Sequence, residues 1–144
     1  MSKDLIDTSE EMLGATTNTI ILQLKEEVYV AACSIIGKKL VEAGSILSWL
    51  SKASNDSIAY KYWDAHCDKA NNFEYDVSVL LYLNSDFSGG EFVFMDDNID
   101  RVVQIRAGRL LLFDSTISNI HRVERVLSGD RMALSIWYSY SSSV

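Results

Sequence analysis

The chain has 144 residues and a formal net charge of −7, with 20 acidic residues against 13 lysines and arginines. This length suits a single domain whose hydrophobic core needs no disulfide or metal for support. The negative charge excludes broad phosphate binding, so nucleic acid is not expected as a partner.

The cysteines and the N-terminal sequence indicate where the protein is expected to reside. Cys33 and Cys67 are too few for a disulfide framework, and Cys33 lies among apolar residues, as a buried cysteine does. The chain shows neither the basic-then-apolar order of a secretion signal nor an apolar run of membrane-spanning length. We therefore expect a cytoplasmic protein without a membrane segment, and the sequence leaves the oligomeric state open.

The N-terminal part of the chain has a helical pattern. Residues 1–18 are polar and predict a loose N-terminal arm, and residues 19–56 predict a helical support. Within the support, a helix is expected over 25–43, with acidic residues in its first turn and Gly44 as its cap. An apolar stripe at helical spacing supports this helix and consists of Ala32, Ile35, Ile36 and Leu40. The segment "SILSWLSKA" fits either a short helix or a strand.

From Ser57 onward the apolar residues recur at every second position, which predicts strands. Turn sequences such as "NSDFSGG" and "LSGD" separate them. The candidate strands are 57–63, 74–83, 91–95, 101–105, 109–113, 119–125 and 131–139. This order predicts a mainly β protein with an N-terminal helix, in which an antiparallel sandwich or barrel core over 57–140 is backed by helix.

His66 and Asp68 form a His-x-Asp triplet, and the chain holds only one other histidine, His121. Residues i and i+2 of an extended segment share a face, so both side chains can point at one ion. Imidazole and carboxylate together suit iron(II), manganese or zinc. Such a triplet arises by chance in roughly one chain in six of this length, so a metal site needs a third ligand.

His121 is the candidate for that third ligand. It lies in "SNIHRVERV", a strand-like segment late in the chain. It completes a metal site only if the fold brings its strand beside His66. The alternative is a hydrogen-bonded histidine at a strand edge, and the pattern does not decide between the two.

Arg131 begins a strand whose two faces differ in character. In "GDRMALSIWYSY" the bulky apolar face consists of Met132, Leu134, Ile136 and Tyr138, and the other face consists of Arg131, Ala133, Ser135 and Trp137. An arginine that points into a barrel requires an anionic partner, and its guanidinium fits a carboxylate with two hydrogen bonds. The alternative is a surface arginine at the end of a strand. Tyr82 either donates its phenol to the same anion or is a core aromatic with a polar tip.

Taken in order, these residues resemble the site of the iron(II)- and 2-oxoglutarate-dependent oxygenases. The order His66-x-Asp68, His121 and then Arg131 ten residues later is similar to the family's metal triad and co-substrate arginine. "HCDK", "LLYLN", "GGEFVFMDD", "RAGRLLLF" and "HRVERVLSGDR" resemble its prolyl-hydroxylase branch, and in particular the 2-oxoglutarate and iron-dependent oxygenase domain-containing protein 3 group. The resemblance covers about residues 60–138. It implies a double-stranded β-helix, the cupin-like jelly roll.

The resemblance also implies a role for individual residues. The Fe(2+) ligands it implies are His66, Asp68 and His121. The co-substrate pocket it implies consists of Arg131, which would hold the distal carboxylate of 2-oxoglutarate, together with Tyr82, Val123, Trp137 and Tyr60.

The activity that the resemblance implies is a dioxygenase reaction. It consumes 2-oxoglutarate and dioxygen, releases succinate and carbon dioxide, and hydroxylates a C–H bond. The implied substrate is a prolyl or other side chain of a peptide or protein, and ascorbate is a further expected cofactor. Two features depart from the family pattern: no Pro-Gly turn precedes His66, and the N-terminal support is short. The alternatives are a catalytically inactive or truncated jelly-roll interaction module and a cupin-type metal-dependent hydrolase or isomerase.

Overall fold

The computed structural model describes residues 5–7, 14–56 and 62–140. Its helices are α1 (Ala15–Ile36) and α2 (Asp68–Asn71), and single 3₁₀ turns span Lys52–Asp56 and Ile117–Asn119. Its strands are β1 (Leu5–Asp7), β2 (Leu40–Ser51), β3 (Val77–Tyr82), β4 (Ser88–Gly89), β5 (Phe92–Phe94), β6 (Arg101–Val103), β7 (Leu110–Asp114), β8 (His121–Val123), β9 (Val126–Ser128) and β10 (Asp130–Tyr140). The described protein is therefore mainly β with an N-terminal helix, as predicted.

Helix α1 lies closer to the N-terminus than the predicted helix over 25–43. It ends at Ile36 because Gly37 adopts a left-handed backbone conformation (φ 74°) and donates its amide to the carbonyl of Cys33. The cap is therefore Gly37 and not Gly44. The prediction of a helix through residue 43 is wrong, because the chain leaves the helical path at this glycine.

Strand β2 occupies much of the remaining segment that was predicted as helical support. It runs through "SILSWLSKA" as far as Ser51 and pairs antiparallel with β10 along its length. Leu40, which was expected on the helix stripe, is buried in this strand instead, and Ile35 of the same stripe is 64% exposed. Strand pairing thus overrides the local helical pattern. The division of the chain into arm, helical support and core stays a prediction.

The strands form two packed layers. A five-stranded antiparallel sheet has the order β1-β2-β10-β3-β7, and the remaining strands form the sheets β6-β5-β8 and β4-β9. Helix α1 packs through Val28 and Ala32 on one face of the large sheet. The opposite face and the three-stranded sheet share a buried cluster of Leu80, Tyr82, Phe92, Phe94, Phe113, Val123 and Ala133. The large sheet therefore lies between the helix and the smaller sheets.

Strand β10 has the two-faced character that the sequence predicted. Leu134 and Ile136 pack in the cluster beneath the helix, whereas Arg131, Ser135 and Trp137 line a cavity on the other face. The polar face of β10 therefore points inward between the sheets, as residues i and i+2 of a strand must share a side.

Two further observations concern the predicted strand 57–63 and the length of the apolar helices. The predicted strand 57–63 is not formed at Tyr62 and Trp63, which lie in a turn, and residues 57–61 lie outside the described residues. None of the helices in the described part of the chain is long and apolar enough to cross a membrane.

Candidate active site

The inner face of the large sheet and the smaller sheet enclose one cavity. His66, Asp68 and His121 line it as one group, and Arg131 lines it at the start of β10. Apolar side chains complete much of its wall, among them Leu80, Phe92, Phe113 and Val123. We call His66, Asp68 and His121 the histidine–aspartate cluster, and Arg131 with Tyr82 the arginine pocket.

Backbone pairing holds the two histidines together. The amide of His66 donates to the carbonyl of His121 (3.0 Å), and the amide of His121 donates to the carbonyl of His66 (2.9 Å). The centroids of their rings lie 4.4 Å apart. The condition set for His121 is met, because the fold does bring β8 beside His66.

Asp68 reaches the same point from a different local structure. It is the first residue of α2, whereas the sequence pattern had predicted an extended segment here. Cys67 before it is extended (φ −118°, ψ 146°), so the side chains of His66 and Asp68 still lie on one side. Oδ1 of Asp68 lies 3.6 Å from Nε2 of His66 and 3.4 Å from Nε2 of His121. The three ligand atoms lie within 4.8 Å of one another, and Cys67 does not belong to this group.

Each histidine presents the same ring nitrogen to the cluster. Nδ1 of His66 lies 2.8 Å from the carbonyl of Asp64, and Nδ1 of His121 lies 2.9 Å from the carbonyl of Asn119. Since a carbonyl can only accept, Nδ1 carries the proton in both rings. In an imidazole with its proton on Nδ1, Nε2 carries a lone pair, which is the form that binds a metal.

The carboxylate of Asp68 is held by its other oxygen. Oδ2 accepts hydrogen bonds from Oγ of Ser78 (2.6 Å) and from Nε1 of Trp137 (3.0 Å). Burial alone pushes the pKa of Asp68 up, but the close contact with His121 and the hydrogen bonds from Ser78 and Trp137 outweigh burial and lower the pKa to about 2. Asp68 is therefore a carboxylate at neutral pH.

Aromatic side chains fix the ring of His121. Phe92 stacks on it, with centroids 4.7 Å apart and an angle of 18° between the planes. Phe113 meets it edge-on, at 5.2 Å and 70°. Because the side chain of His121 is only 5% exposed, its ring cannot turn away without breaking this packing.

The arginine pocket contains a buried charge that is only partly satisfied. Arg131 is 2% exposed, and its Nε donates to the carbonyl of Gly90 (3.0 Å). Its guanidinium carbon lies 5.4 Å from the centroid of the Tyr82 ring. Among the described residues, neither Nη2 of Arg131 nor Oη of Tyr82 has a hydrogen-bond partner. Burial lowers the pKa of Arg131, yet an arginine remains charged at neutral pH.

Gly90 makes room for this arginine. Its backbone is left-handed (φ 69°), and a Cβ added there would lie 2.9 Å from Cδ of Arg131. A larger residue would therefore be strained and would displace the Arg131 side chain. This close approach explains the second glycine of "SGGEF", which the sequence predicted only as part of a turn.

The structure brings most of the predicted site residues together. One cavity is lined by His66, Asp68, His121, Val123, Arg131 and Trp137, and Tyr82 contacts Arg131 beside it. Tyr60 lies outside the described residues.

Ser78 and Ser115 are polar residues of the site that the sequence analysis missed. Ser78 shares the inward face of β3 with Tyr82, so period-two alternation places it toward the site. Ser115 follows the last residue of β7, and no pattern in the sequence connects it with Asp68.

These residues fit an iron(II) ion and a dicarboxylate. Two neutral imidazoles and one carboxylate form the donor set typical of non-haem iron(II), and their other polar atoms are already bonded. The unpaired donors of Arg131 and Tyr82 suit a carboxylate of a ligand. Binding of both groups would leave the hydrogen bonds described above in place.

Comparison with known proteins gives the class. A family model described as the 2OG-Fe(II) oxygenase superfamily matches residues 57–139, more than half of the chain. The "2-oxoglutarate and iron-dependent oxygenase domain-containing protein 3" of Rattus norvegicus is 45% identical over 82 residues, which cover 55% of this chain and 26% of that protein. "Prolyl 3-hydroxylase 3" of Homo sapiens is 44% identical over 69 residues, which cover 46% of this chain and 9% of that protein.

A solved structure agrees on the fold. A 2OG-Fe(II) oxygenase family oxidoreductase from Burkholderia pseudomallei superposes with a TM-score of 0.69 at 22% identity, over 94% of this chain and 63% of that one. The fold is therefore the double-stranded β-helix with a backing helix, as predicted.

The chain belongs to the 2OG-Fe(II) oxygenase superfamily. Within it, the relatives to which the chain is similar include a prolyl 3-hydroxylase. It spans about a quarter of the length of the first relative and about a tenth of the second.

Proposed function

We propose that the protein is a dioxygenase that hydroxylates a C–H bond on a prolyl or other side chain of a peptide or protein. One observation carries this proposal. Three metal-ligand atoms converge within 4.8 Å, and the same cavity is lined by Arg131, whose buried Nη2 has no hydrogen-bond partner among the described residues.

The histidine–aspartate cluster would hold the metal. Nε2 of His66, Nε2 of His121 and Oδ1 of Asp68 would bind iron(II) from one side and leave its other positions to 2-oxoglutarate and dioxygen. When bound, iron(II) supplies the oxidative decarboxylation of 2-oxoglutarate to succinate and carbon dioxide, together with transfer of one oxygen atom into the substrate C–H bond.

The arginine pocket would orient the co-substrate. Nη2 of Arg131 and Oη of Tyr82 would donate to the distal carboxylate of 2-oxoglutarate, which pairs two otherwise unpaired buried groups. Charge-assisted hydrogen bonds of this kind contribute about 1.5–3 kcal/mol each. Val123 and Trp137 line the same cavity, and its apolar wall would exclude water from the co-substrate.

A polypeptide substrate is supported by the relatives and by charge. The similarity to a protein named prolyl 3-hydroxylase favours a prolyl side chain. The net charge of −7 favours a neutral or basic polypeptide over an acidic one. Ascorbate is proposed as the reductant that keeps the iron in its divalent state. The cytoplasmic location stays a prediction.

Turnover of 2-oxoglutarate tests this proposal. The protein is incubated in air with iron(II), ascorbate, 2-oxoglutarate and a pool of peptides that contain proline, and a matched pool in which alanine replaces proline is run in parallel. We expect succinate release that the proline pool stimulates, and a peptide that gains one oxygen atom by mass spectrometry. Succinate release without any oxygenated peptide would contradict the polypeptide substrate. No succinate under any of these conditions would contradict the dioxygenase activity.

A further inference from the structure

A pair of buried hydroxyl groups stands behind the carboxylate of Asp68. Oγ of Ser78 donates to Oδ2 of Asp68 at 2.6 Å, and Oγ of Ser115 lies 2.7 Å from Oγ of Ser78. Ser78 is 2% exposed and Ser115 is 1% exposed. Since the single hydroxyl hydrogen of Ser78 points at the carboxylate, Ser115 must be the donor to Ser78. The two serines therefore form a directed chain that ends on Asp68.

Ser115 also holds the backbone around Asp68. Its carbonyl accepts a hydrogen bond from the amide of Lys69 (2.9 Å), the residue that follows Asp68. Its own amide donates to the carbonyl of Asp76 (2.9 Å). Ser115 therefore links the first turn of α2 to the end of β7, in addition to its hydroxyl contact.

Trp137 supplies the second donor to the same carboxylate oxygen. Its Nε1 donates to Oδ2 of Asp68 at 3.0 Å. Tyr75 stacks on its indole, with centroids 4.9 Å apart and planes at 7°. Gly44 leaves space for Tyr75, because a Cβ there would lie 3.0 Å from Oη of Tyr75. The indole is thus held in the orientation that directs its N–H toward Asp68.

These contacts give the two carboxylate oxygens of Asp68 different partners. An oxygen of a carboxylate accepts about two hydrogen bonds, and Oδ2 already accepts two. Oδ1 alone faces Nε2 of both histidines. We propose that Ser78, Ser115 and Trp137 are positioning residues that commit Asp68 to binding iron through one oxygen. A second carboxylate oxygen on the metal would take a position that 2-oxoglutarate or dioxygen requires. This inference rests on the proposed function, because it assumes a metal in the histidine–aspartate cluster.

Metal binding by the metal-free protein tests the inference without turnover. Mn²⁺ affinity is measured by electron paramagnetic resonance for Ser78→Ala and Ser115→Ala. Ser78→Thr keeps the hydroxyl, and Ser54→Ala removes a buried hydroxyl that accepts from the Ser51 amide outside this cavity. We expect Ser78→Ala to weaken Mn²⁺ binding roughly 10–100-fold, the usual effect of losing an outer-shell partner of a ligand. Ser115→Ala should weaken binding less, and Ser78→Thr and Ser54→Ala should bind as the unaltered chain does.

The absorption spectrum of bound Co²⁺ gives a second reading that a loss of stability alone does not change. In Ser78→Ala, Oδ2 is released toward the metal, so the visible bands should shift and change intensity as the coordination number rises. Trp137→Phe keeps an aromatic partner for Tyr75 but removes the N–H donor. The same spectral change is expected there, with the Trp49→Phe variant as control because Trp49 lies outside the cavity.

The results distinguish a failure of the proposed positioning role from a failure of the proposed metal site. If the unaltered chain binds Mn²⁺, His66→Ala abolishes binding, and the Ser78, Ser115 and Trp137 variants match the unaltered chain in affinity and spectrum, the inference is overturned while the metal site stands. If the unaltered chain binds Mn²⁺ no better than His66→Ala, both are overturned. Thermal unfolding followed by circular dichroism shows which variants fold, and Ser115→Ala carries the test if Ser78→Ala does not.

Discussion

One cavity is lined by the histidine–aspartate cluster and by Arg131 of the arginine pocket, and the polar atoms of these two groups are bonded in opposite ways. In the cluster, the polar atoms that would not touch a metal already have partners: Nδ1 of each histidine and Oδ2 of Asp68. In the pocket, Nη2 of Arg131 and Oη of Tyr82 have none among the described residues. The cluster is therefore organised before a metal arrives, whereas the pocket is satisfied only when a ligand arrives.

This difference has an energetic consequence for the ligand-free protein. A buried donor or acceptor without a partner costs about 1–3 kcal/mol. The arginine pocket should therefore lower the stability of the ligand-free chain, and an anionic ligand should restore it. The cluster should affect stability through its packing and hydrogen bonds, with or without a metal.

Removing a ligand from the cluster should have the largest effect. The His66→Ala variant loses Nε2, one of the three ligand atoms that converge among the described residues. We expect Mn²⁺ affinity to fall by more than the roughly 100-fold that outer-shell changes produce. Isothermal titration calorimetry measures it. His66 is the better choice than His121 because its side chain is 25% exposed rather than 5%, so folding suffers less. Unchanged Mn²⁺ affinity would remove His66 from the metal site.

Changing Arg131 should weaken the binding of 2-oxoglutarate but leave the binding of the metal unchanged. Arg131→Gln removes the charge and keeps a polar side chain beside Gly90. Loss of one charge-assisted hydrogen bond of about 1.5–3 kcal/mol predicts 2-oxoglutarate binding weaker by roughly 10- to 150-fold. Calorimetric titration of 2-oxoglutarate into the Mn²⁺-loaded protein measures it. Mn²⁺ affinity should stay within about twofold, because no hydrogen bond connects Arg131 with the cluster. A comparable loss of Mn²⁺ affinity would show that the two groups are not independent.

Removing the hydroxyl of Tyr82 is a smaller change in the same pocket. It should weaken the binding of 2-oxoglutarate but stabilise the ligand-free protein. Tyr82→Phe removes a fully buried hydroxyl that has no hydrogen-bond partner in the part of the chain that the structure describes. We expect the free energy of unfolding of the ligand-free protein to rise by about 1 kcal/mol, since an unsatisfied group is removed without a change of shape. The 2-oxoglutarate affinity should fall by about tenfold. Urea unfolding and calorimetry measure the two effects. Tyr138→Phe is the control, because Tyr138 is a buried tyrosine of the opposite face. A stability loss in Tyr82→Phe would mean that the hydroxyl is satisfied in the ligand-free protein.

An exposed turn outside both groups should give the smallest effect. Hydrogen bonds from the hydroxyl and the amide of Thr116 to Asp114 lower the pKa of Asp114 below its ordinary value, against the opposing effect of partial burial. A carboxylate whose folded pKa is lowered adds stability above its unfolded pKa of about 3.9. That stability is lost as the pH falls through the folded pKa. Asp114→Asn should therefore cost roughly 0.5 kcal/mol at pH 7, the small effect that solvent screening leaves to an exposed carboxylate, and less at pH 2. Urea midpoints at both pH values measure it. A cost that is equally large at pH 2 would assign the effect to geometry and not to charge.

Much of the site could be predicted because it follows strand geometry. His121 and Arg131 lie on strands whose alternation was visible in the sequence, and the inward face of β10 was identified correctly. The prediction for Asp68 placed its side chain on the same side as that of His66, which is correct, but it assigned the wrong local structure. Cys67 is extended, but Asp68 begins a helix. An i, i+2 argument needs only one extended residue between the two side chains, so it holds in both cases.

The remaining features depend on contacts between distant segments. The predicted helix over 25–43 was wrong for two reasons. Gly37 ends the helix, which is a local effect, and the following segment pairs as β2 with β10, which is distant in sequence. Ser115 was missed because its position beside Ser78 depends on the register between β3 and β7. Local pattern cannot specify such pairings.

The most direct test asks whether the cluster and the pocket hold one 2-oxoglutarate molecule together. The protein is titrated anaerobically with 2-oxoglutarate in the presence of iron(II), and the weak visible absorption band of the iron–2-oxoglutarate complex is followed. We predict a saturable band in the unaltered chain, no band in His66→Ala, and a band in Arg131→Gln that needs far more 2-oxoglutarate. Absence of the band in the unaltered chain, or the same titration curve in all three proteins, would contradict the account.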